Sequence, residues 1–517
     1  MKRMNRLMKP SRGLALLVSG LLTTPAFAEW PMWLGPGSSG VHGSARTLRE
    51  SPGRMPPPEL LWESETGFGG TRGETQDSRR AARESDWGIP HHGGEGSPVI
   101  ADGKVFFAHY RPSGDVYDKY TAHRHLGMTQ EELNAARGRP EGGYVLKHER
   151  WLAGATDVLT SVDLHTGKTL WETELGHNGL NFNIGNKGGF GVTAAYDDGR
   201  VFVLGTNGIL YGVEAETGRK LWESDIGERT LMQKYYHRMS QSGATFSPRF
   251  RSSFLTAVVA ANGVVLVSDE IFHRVNLGMG TDFHYDRQNG LMAFDGRTGK
   301  RLWHQPETSR FSPPVIWQHG DQSYALAIGQ RGAFLFELNT GLEIWHEPRI
   351  RHHPRNQNFG ATVSGDHLVV FETETQYPIA YRITLEGLER AWRLEVRSVG
   401  NFLIHGNHGY MLDREDRLLA IDMTNGNLLA ETGHRVSTGN GANPFLLAYQ
   451  DWILAPTVGR NTRGIHFYHR NPLHLHLPPV RLDTNFSRGY EISVLPALSE
   501  GRMVLRNDFR LQAFQLP

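Results

Sequence analysis

A chain of 517 residues with 38% hydrophobic and 21% charged side chains is ordinary globular material, and its 60 Gly and 26 Pro suit a fold with many tight turns. A net charge of +1 excludes a non-specific grip on nucleic acid or anionic membrane, which scales with clustered excess cation. With 0 Cys there is no disulfide, thiolate metal site, Cys nucleophile or lipid-modified Cys.

At the N-terminus, Lys2, Arg3, Arg6, Lys9 and Arg12 precede an apolar run from Leu14 to Leu22, and Ala26-Phe27-Ala28 supplies the small residues a signal peptidase requires. This predicts a signal peptide over 1–28, cleavage before Glu29, and a periplasmic or secreted product. No later segment is long and apolar enough to form a spanning helix. The remainder, 29–517, is expected to fold as one domain and to be a monomer.

A strand phrase, PELLWESETG at Pro58 to Gly67, comes next, and a related phrase then returns: LTSVDLHTGKTLWE at Leu159 to Glu172, LYGVEAETGRKLWE at Leu210 to Glu223, LMAFDGRTGKRLWH at Leu291 to His304. Between Gly191 and Glu223 an alternating strand turns at Asp198-Gly199, again at Asn207-Gly208 and again at Thr217-Gly218. Asn-Gly and Asp-Gly make hairpin turns because both residues accept the positive φ that strand twist demands. Similar four-strand units start near Ser97, Leu255, Ser312, Gly360, Asn401, Asn443 and Ser493, which gives about eight blades. The sixth and seventh have lost the Trp; LLAIDMTNGNLLAE at Leu418 to Glu431 keeps only the turn. The last unit ends after three strands, and Pro58 to Gly67 offers the missing fourth. The predicted fold is all-β, an eight-bladed β-propeller of four-stranded antiparallel blades, with the ring closed by an N-terminal strand that removes the open sheet edge.

The A-x-D-x-x-T-G-K-x-x-W phrase resembles the repeat of the pyrroloquinoline-quinone (PQQ) propeller superfamily, which includes quinoprotein alcohol dehydrogenases, an outer-membrane assembly propeller lipoprotein and a further exported branch. The opening WPMWLGPGSSGV, from Trp30, resembles the start of that exported branch. Resemblance to the dehydrogenases implies a vicinal Cys pair beside the quinone and a Ca-binding Glu, Asn and catalytic Asp set, for which this sequence has no counterpart. Resemblance to the lipoprotein implies an N-terminal Cys, which is also missing.

The repeat also fixes which face is which. With strands A to D in each blade, the A to B and C to D turns share one face, and there they stay short, as at Asp102-Gly103, Thr166-Gly167, Asn262-Gly263 and Thr298-Gly299. The long connections, 65–96, 110–157, 228–253, 269–290 and 347–359, all belong to the opposite face. Long loops on a rigid scaffold commonly carry function.

These loops carry His91, His92, Arg111, His123, His125, Tyr235, Tyr236, His237, Arg249, Arg251, His352, His353, Arg355 and Asn356; shorter crossovers add Asn183, Lys187, Arg310, Asn401, His434, Asn440 and Arg488. Residues just before each A strand lie nearest the axis, so Arg251, Arg310, Arg355 and Arg488, with Lys187, are expected to ring a pocket suited to a planar oxyanion. The candidate catalytic set is His92, Tyr236, His237 and Arg251. The candidate binding set is His91, Asn183, Lys187, Arg249, Arg310, His353, Arg355, Asn356, Asn440 and Arg488. Clustered His make a divalent metal a candidate cofactor, although no spacing matches a metal motif. His474 and His476 alternate and read as structural residues of an outer strand.

Three functions follow as expectations. The first is an exported binder of an anionic small molecule or acidic carbohydrate, including a polysaccharide lyase in which Arg neutralises a uronate while His or Tyr abstracts the adjacent proton. The second is a PQQ-dependent dehydrogenase with a divergent cofactor site, disfavoured by the absent Cys pair. The third is a non-catalytic periplasmic scaffold.

Overall fold

The computed structural model describes residues 30–42, 56–67, 96–118, 150–180, 193–205, 208–226, 257–268, 290–306, 308, 313–329, 331–351, 361–372, 374–436, 445–458, 463–483, 495–499, 501–506 and 510–516. They form eight sheets, each built on a four-stranded antiparallel blade of an all-β propeller, with the short strand Val41–His42 added in parallel to one of them. The second blade, Ala195–Asp197, Arg200–Leu204, Ile209–Glu214 and Lys220–Asp225, pairs in simple meander order. Its tight turn at Asp198 and Gly199 has φ of 46° and 72°, as the twist of a two-residue hairpin requires. In the last blade Glu59–Glu63 pairs antiparallel with Leu511–Gln515, so an N-terminal strand closes the ring as expected.

Innermost strands are short and buried, and neighbours adjoin around the centre: Val99–Ala101 lies beside both Ala195–Asp197 and Ala497–Ser499. Outer strands carry the repeated Trp, whose indole N–H reaches into the next blade. Trp62 donates to the Leu164 carbonyl (3.0 Å), Trp171 to Ala215 (3.2 Å), Trp222 to Gly296 (3.0 Å), Trp303 to Leu338 (2.9 Å), Trp345 to Thr384 (2.9 Å) and Trp392 to Met423 (2.8 Å). The rings of Trp62, Trp171, Trp222, Trp303 and Trp392 cover the Thr-Gly or Asn-Gly turns beneath them, which leaves no room for a side chain; Trp345 is the exception, since a Cβ on Gly387 would meet nothing within 4 Å. A Cβ on Gly299 would fall 2.4 Å from the Trp222 ring, whereas one on Gly199 would meet nothing within 4 Å. Both glycines have φ of 72°. Gly199→Ala is therefore expected to cost about 1 kcal/mol, the left-handed penalty alone, and Gly299→Ala about 3 kcal/mol, because overpacking adds to it. Urea denaturation of the two variants measures the difference.

Two features depart from the sequence reading. The first blade's strands run past the disc: Lys104–Asp118 pairs with Arg150–Asp163 as far as Asp118 opposite Arg150, and Thr169–Leu180 follows as far as Gly154. The long loop expected over 110–157 is thus strand at both ends, and only 119–149 lies outside the described residues. A register shift between Ser113 and Val116 takes up Gly114 and Asp115 as a bulge, and pairing continues beyond it. His474 and His476 are not on an outer strand. Asn471 caps a 3-10 turn, Pro472–His474, by accepting from the Leu473 N–H at 3.0 Å, and Pro472 starts it. The alternating His-Leu pattern imitated a strand that this cap and proline exclude.

Candidate functional site

Residues that precede the inner strands form a hydrogen-bonded collar under the loop face. The Ser97 N–H donates to Thr193 Oγ1 (3.1 Å) and the Leu495 N–H to Ser97 Oγ (2.9 Å). The Thr362 hydroxyl donates to the Phe402 carbonyl (2.6 Å). Asn401 donates to the Leu446 carbonyl (3.1 Å) and accepts the Leu446 N–H (2.6 Å). Asn401, read from the sequence as part of an amide-rich mouth, is thus a buried blade-to-blade tie. Arg111 likewise pairs with Glu172 at 2.7 Å, so its charge is already met.

Inside the collar the axis is filled by the chain's own segment from Trp30 to His42. Trp30 exchanges two backbone hydrogen bonds of 2.9 Å with Ile100 of the first blade, and the Tyr196 N–H of the second donates to the Pro31 carbonyl (2.7 Å). The short turn Pro36–Ser38 packs on the inner strands Val315–His319 and Thr362–Ser364 of the fourth and fifth blades. A Cβ on Gly40 would lie 3.1 Å from Leu403 of the sixth blade, and Val41–His42 pairs in parallel with Leu447–Tyr449 of the seventh. A segment this short can reach the inner strands of so many blades only along the axis. Its apolar side chains are buried, with Trp30 1% and Trp33 5% exposed, and Trp33 sets its edge on Phe445 at 5.1 Å.

The seam between the sixth and seventh blades has no Trp tie. It is joined instead by polar side chains: the Tyr410 hydroxyl donates to the Arg470 carbonyl, and the Arg470 guanidinium lies 3.4 Å from His405 Nδ1 and 3.6 Å from Asp451. Burial, with Arg470 adding to it, pushes the His405 imidazole down to about 4. Burial also pushes His466 down to about 4, with Arg481 and His434 adding to it. The sequence reading missed this seam and the axial segment. The loss of Trp from the sixth and seventh repeats was the available signal for the seam, and the indole-rich Trp30 to Trp33 for the axis.

Every residue of the predicted sites lies outside the described residues: His92, Tyr236, His237 and Arg251 of the catalytic set, and His91, Asn183, Lys187, Arg249, Arg310, His353, Arg355, Asn356, Asn440 and Arg488 of the binding set. Among the described residues no group of three or more His, Cys, Asp or Glu is placed to hold a metal ion.

The family model described as outer membrane protein assembly factor BamB matches residues 155–432. The chain belongs to this family. Outer membrane protein assembly factor BamB of Yersinia pestis is 23% identical over 253 residues, which are 45% of this chain and 63% of that protein, so the match spans less than two thirds of the relative. Among solved structures, BamB from Moraxella catarrhalis is similar over 70% of this chain and 94% of its own, at 12% identity and a TM-score of 0.44. Quinohemoprotein alcohol dehydrogenase from Comamonas testosteroni is similar over 83% of this chain and 76% of its own, at 15% identity and a TM-score of 0.40.

The BamB family repeat is shared with PQQ-binding propellers, so the fit of a quinone matters. The described residues do not fit one. Indole and aliphatic side chains from Trp30 to Leu34 occupy the axis at the level of the inner strands, and the sequence contains 0 Cys to supply a vicinal pair. Among the described residues no helix is long and apolar enough to cross a membrane.

Proposed function

We propose that this BamB-family propeller is a non-catalytic scaffold of the bacterial envelope that serves outer membrane protein assembly, exported by the signal peptide over 1–28 with 29–517 as one propeller domain. The observation that carries this reading is the filled axis. A ligand seated between the inner strands would require an open centre there, and here the chain's own Trp30 to His42 segment packs against those strands. The role in the family description supplies the direction, and the rigid disc supplies the means. Indole ties join the blades from the last round to the sixth, which makes the disc a firm support for a protein partner.

The acidic-glycan lyase reading gains nothing from the described residues. Its Arg, His and Tyr candidates lie elsewhere in the chain; of the three crossover or loop residues that are described, Arg111 and Asn401 are engaged in structural contacts and His434 stacks on Tyr468. Incubation of the purified chain with PQQ and Ca²⁺, followed by absorbance and alcohol-driven dye reduction, tests the scaffold reading against its main rival. The expected result is neither stoichiometric quinone nor turnover; finding both would replace the scaffold with a dehydrogenase.

A further inference from the structure

We infer that the seam between the sixth and seventh blades holds a small oxyanion, bound by His434, His466 and Tyr468 beneath Arg481. Four observations build the site. His466 and Tyr468 sit two residues apart on the strand Arg463–His469, so they share the sheet face, and Tyr468 packs there with Leu418 and Val436 of the sixth blade. His434, from the crossover that leaves the sixth blade, stacks on Tyr468 at 5.8 Å, and His466 meets the same ring edge-on at 6.3 Å. His466 Nδ1, His434 Nε2 and the Tyr468 hydroxyl are all buried and, among the described residues, have no hydrogen-bond partner. His466 is 5% exposed and Tyr468 1%.

Buried polar atoms without partners are costly, so three in one ring cluster point to a ligand that completes them. The neighbours set its sign. Across the sheet His466 lies directly between Ala455 on one side and Arg481 on the other, all on one face. Ala455 is short and leaves space beside the imidazole, while the exposed Arg481 brings a positive charge to the outer rim of the same row. That charge opposes a metal cation and favours an anion. Neutral imidazoles suit this role, because each carries one N–H that its tautomer can place on the unpartnered nitrogen, and the phenol adds an O–H. Burial and Arg481 hold both His434 and His466 below the usual imidazole value, which keeps them neutral hydrogen-bond donors at pH 7. Asp483 also faces His466 and is the opposing charge, but it lies on the exposed edge strand Val480–Asp483.

Isothermal titration of the purified full chain with inorganic phosphate, and separately with acetate, tests the site. Tyr468→Phe removes only a hydroxyl that has no partner among the described residues and Arg481→Gln changes an exposed side chain, so both variants are expected to fold, with thermal midpoints near that of the parent. The expected result is saturable binding of one of the two anions, weakened at least about tenfold in each variant, the size of a lost hydrogen bond to a charged group. Absence of saturable binding of either anion, or binding undiminished in the two variants, would overturn the proposal and leave the cluster to ordered water.

Discussion

Trp30→Ala lowers the stability of the folded chain by about 4 kcal/mol, and Trp30→Ala with Trp33→Ala by about 6–8 kcal/mol, in urea denaturation. The size follows from burial: Trp30 is 1% and Trp33 5% exposed. It also follows from position. The segment contributes to the inner contacts of blades that lie on opposite sides of the ring, so its loss opens a cavity bounded by short inner strands that cannot collapse inwards. Because the two indoles belong to one segment, their effects are expected to couple and fall short of simple addition over the upper range. Leu473→Ala, at a side chain that is 74% exposed, serves as the control and is expected to change stability by less than about 0.5 kcal/mol. A Trp30→Ala change no larger than that of Leu473→Ala would show that the axial packing does not stabilise the fold.

Acidification from pH 6.5 towards 4 is expected to destabilise the chain, and the loss begins before its carboxylates titrate. His405 and His466, 2% and 5% exposed, are each pushed down to about 4, and an unfolded imidazole binds its proton near 6.5. Between these values the unfolded state takes up a proton that the folded state refuses. The stabilisation is therefore present in full above pH 6.5 and is lost as pH falls towards 4, on the order of 3 kcal/mol for each histidine. A second window opens lower. Glu347, pushed down to about 2 by the hydrogen bonds of Arg349, contributes above its ordinary value of 4.5 and loses its contribution as pH falls from there to 2. The urea midpoint measured against pH separates the two. His405→Gln and His466→Gln are each expected to flatten the profile between pH 6.5 and 4 and leave the lower window intact; an unchanged slope in both variants would show that these histidines do not titrate on unfolding.

Much of the architecture was legible in the sequence because its signals are local. The D-x-x-T-G turn places a carboxylate over its own Thr: Asp163 accepts from the Thr166 N–H and hydroxyl, each at 2.8 Å, and the same bonds recur at Asp295 and Thr298. A turn that closes through its own residues reads the same wherever it stands, so the blade count followed from it, and ring closure by Glu59–Glu63 followed from the last unit's missing fourth strand. The Trp that follows each turn reports a contact with the next blade at a fixed offset, and it too is visible one repeat at a time.

The missed features depend on residues far apart in sequence. WPMWLGPGSSGV has no strand alternation, and its place on the axis arises because Ile100, Tyr196, Leu403 and Ala448 converge on it from different blades. The sixth to seventh seam follows the same logic. His405, Arg470 and Asp451 are brought together by the disc, and none of them stands in a recognisable spacing. Asn401 shows the converse error: a polar residue in a crossover looked like part of an open mouth, yet both ends of its amide are used by the Leu446 backbone.

The central claim, that this chain is an envelope scaffold rather than an enzyme, is tested most directly by the content of β-barrel proteins in the outer membrane of its source bacterium after removal of the chain. The expected result is a fall in outer membrane β-barrel proteins that is restored by the wild-type chain and not by the Trp30→Ala, Trp33→Ala variant. Unchanged β-barrel content, together with loss of a quinone-dependent oxidation from the envelope, would contradict it.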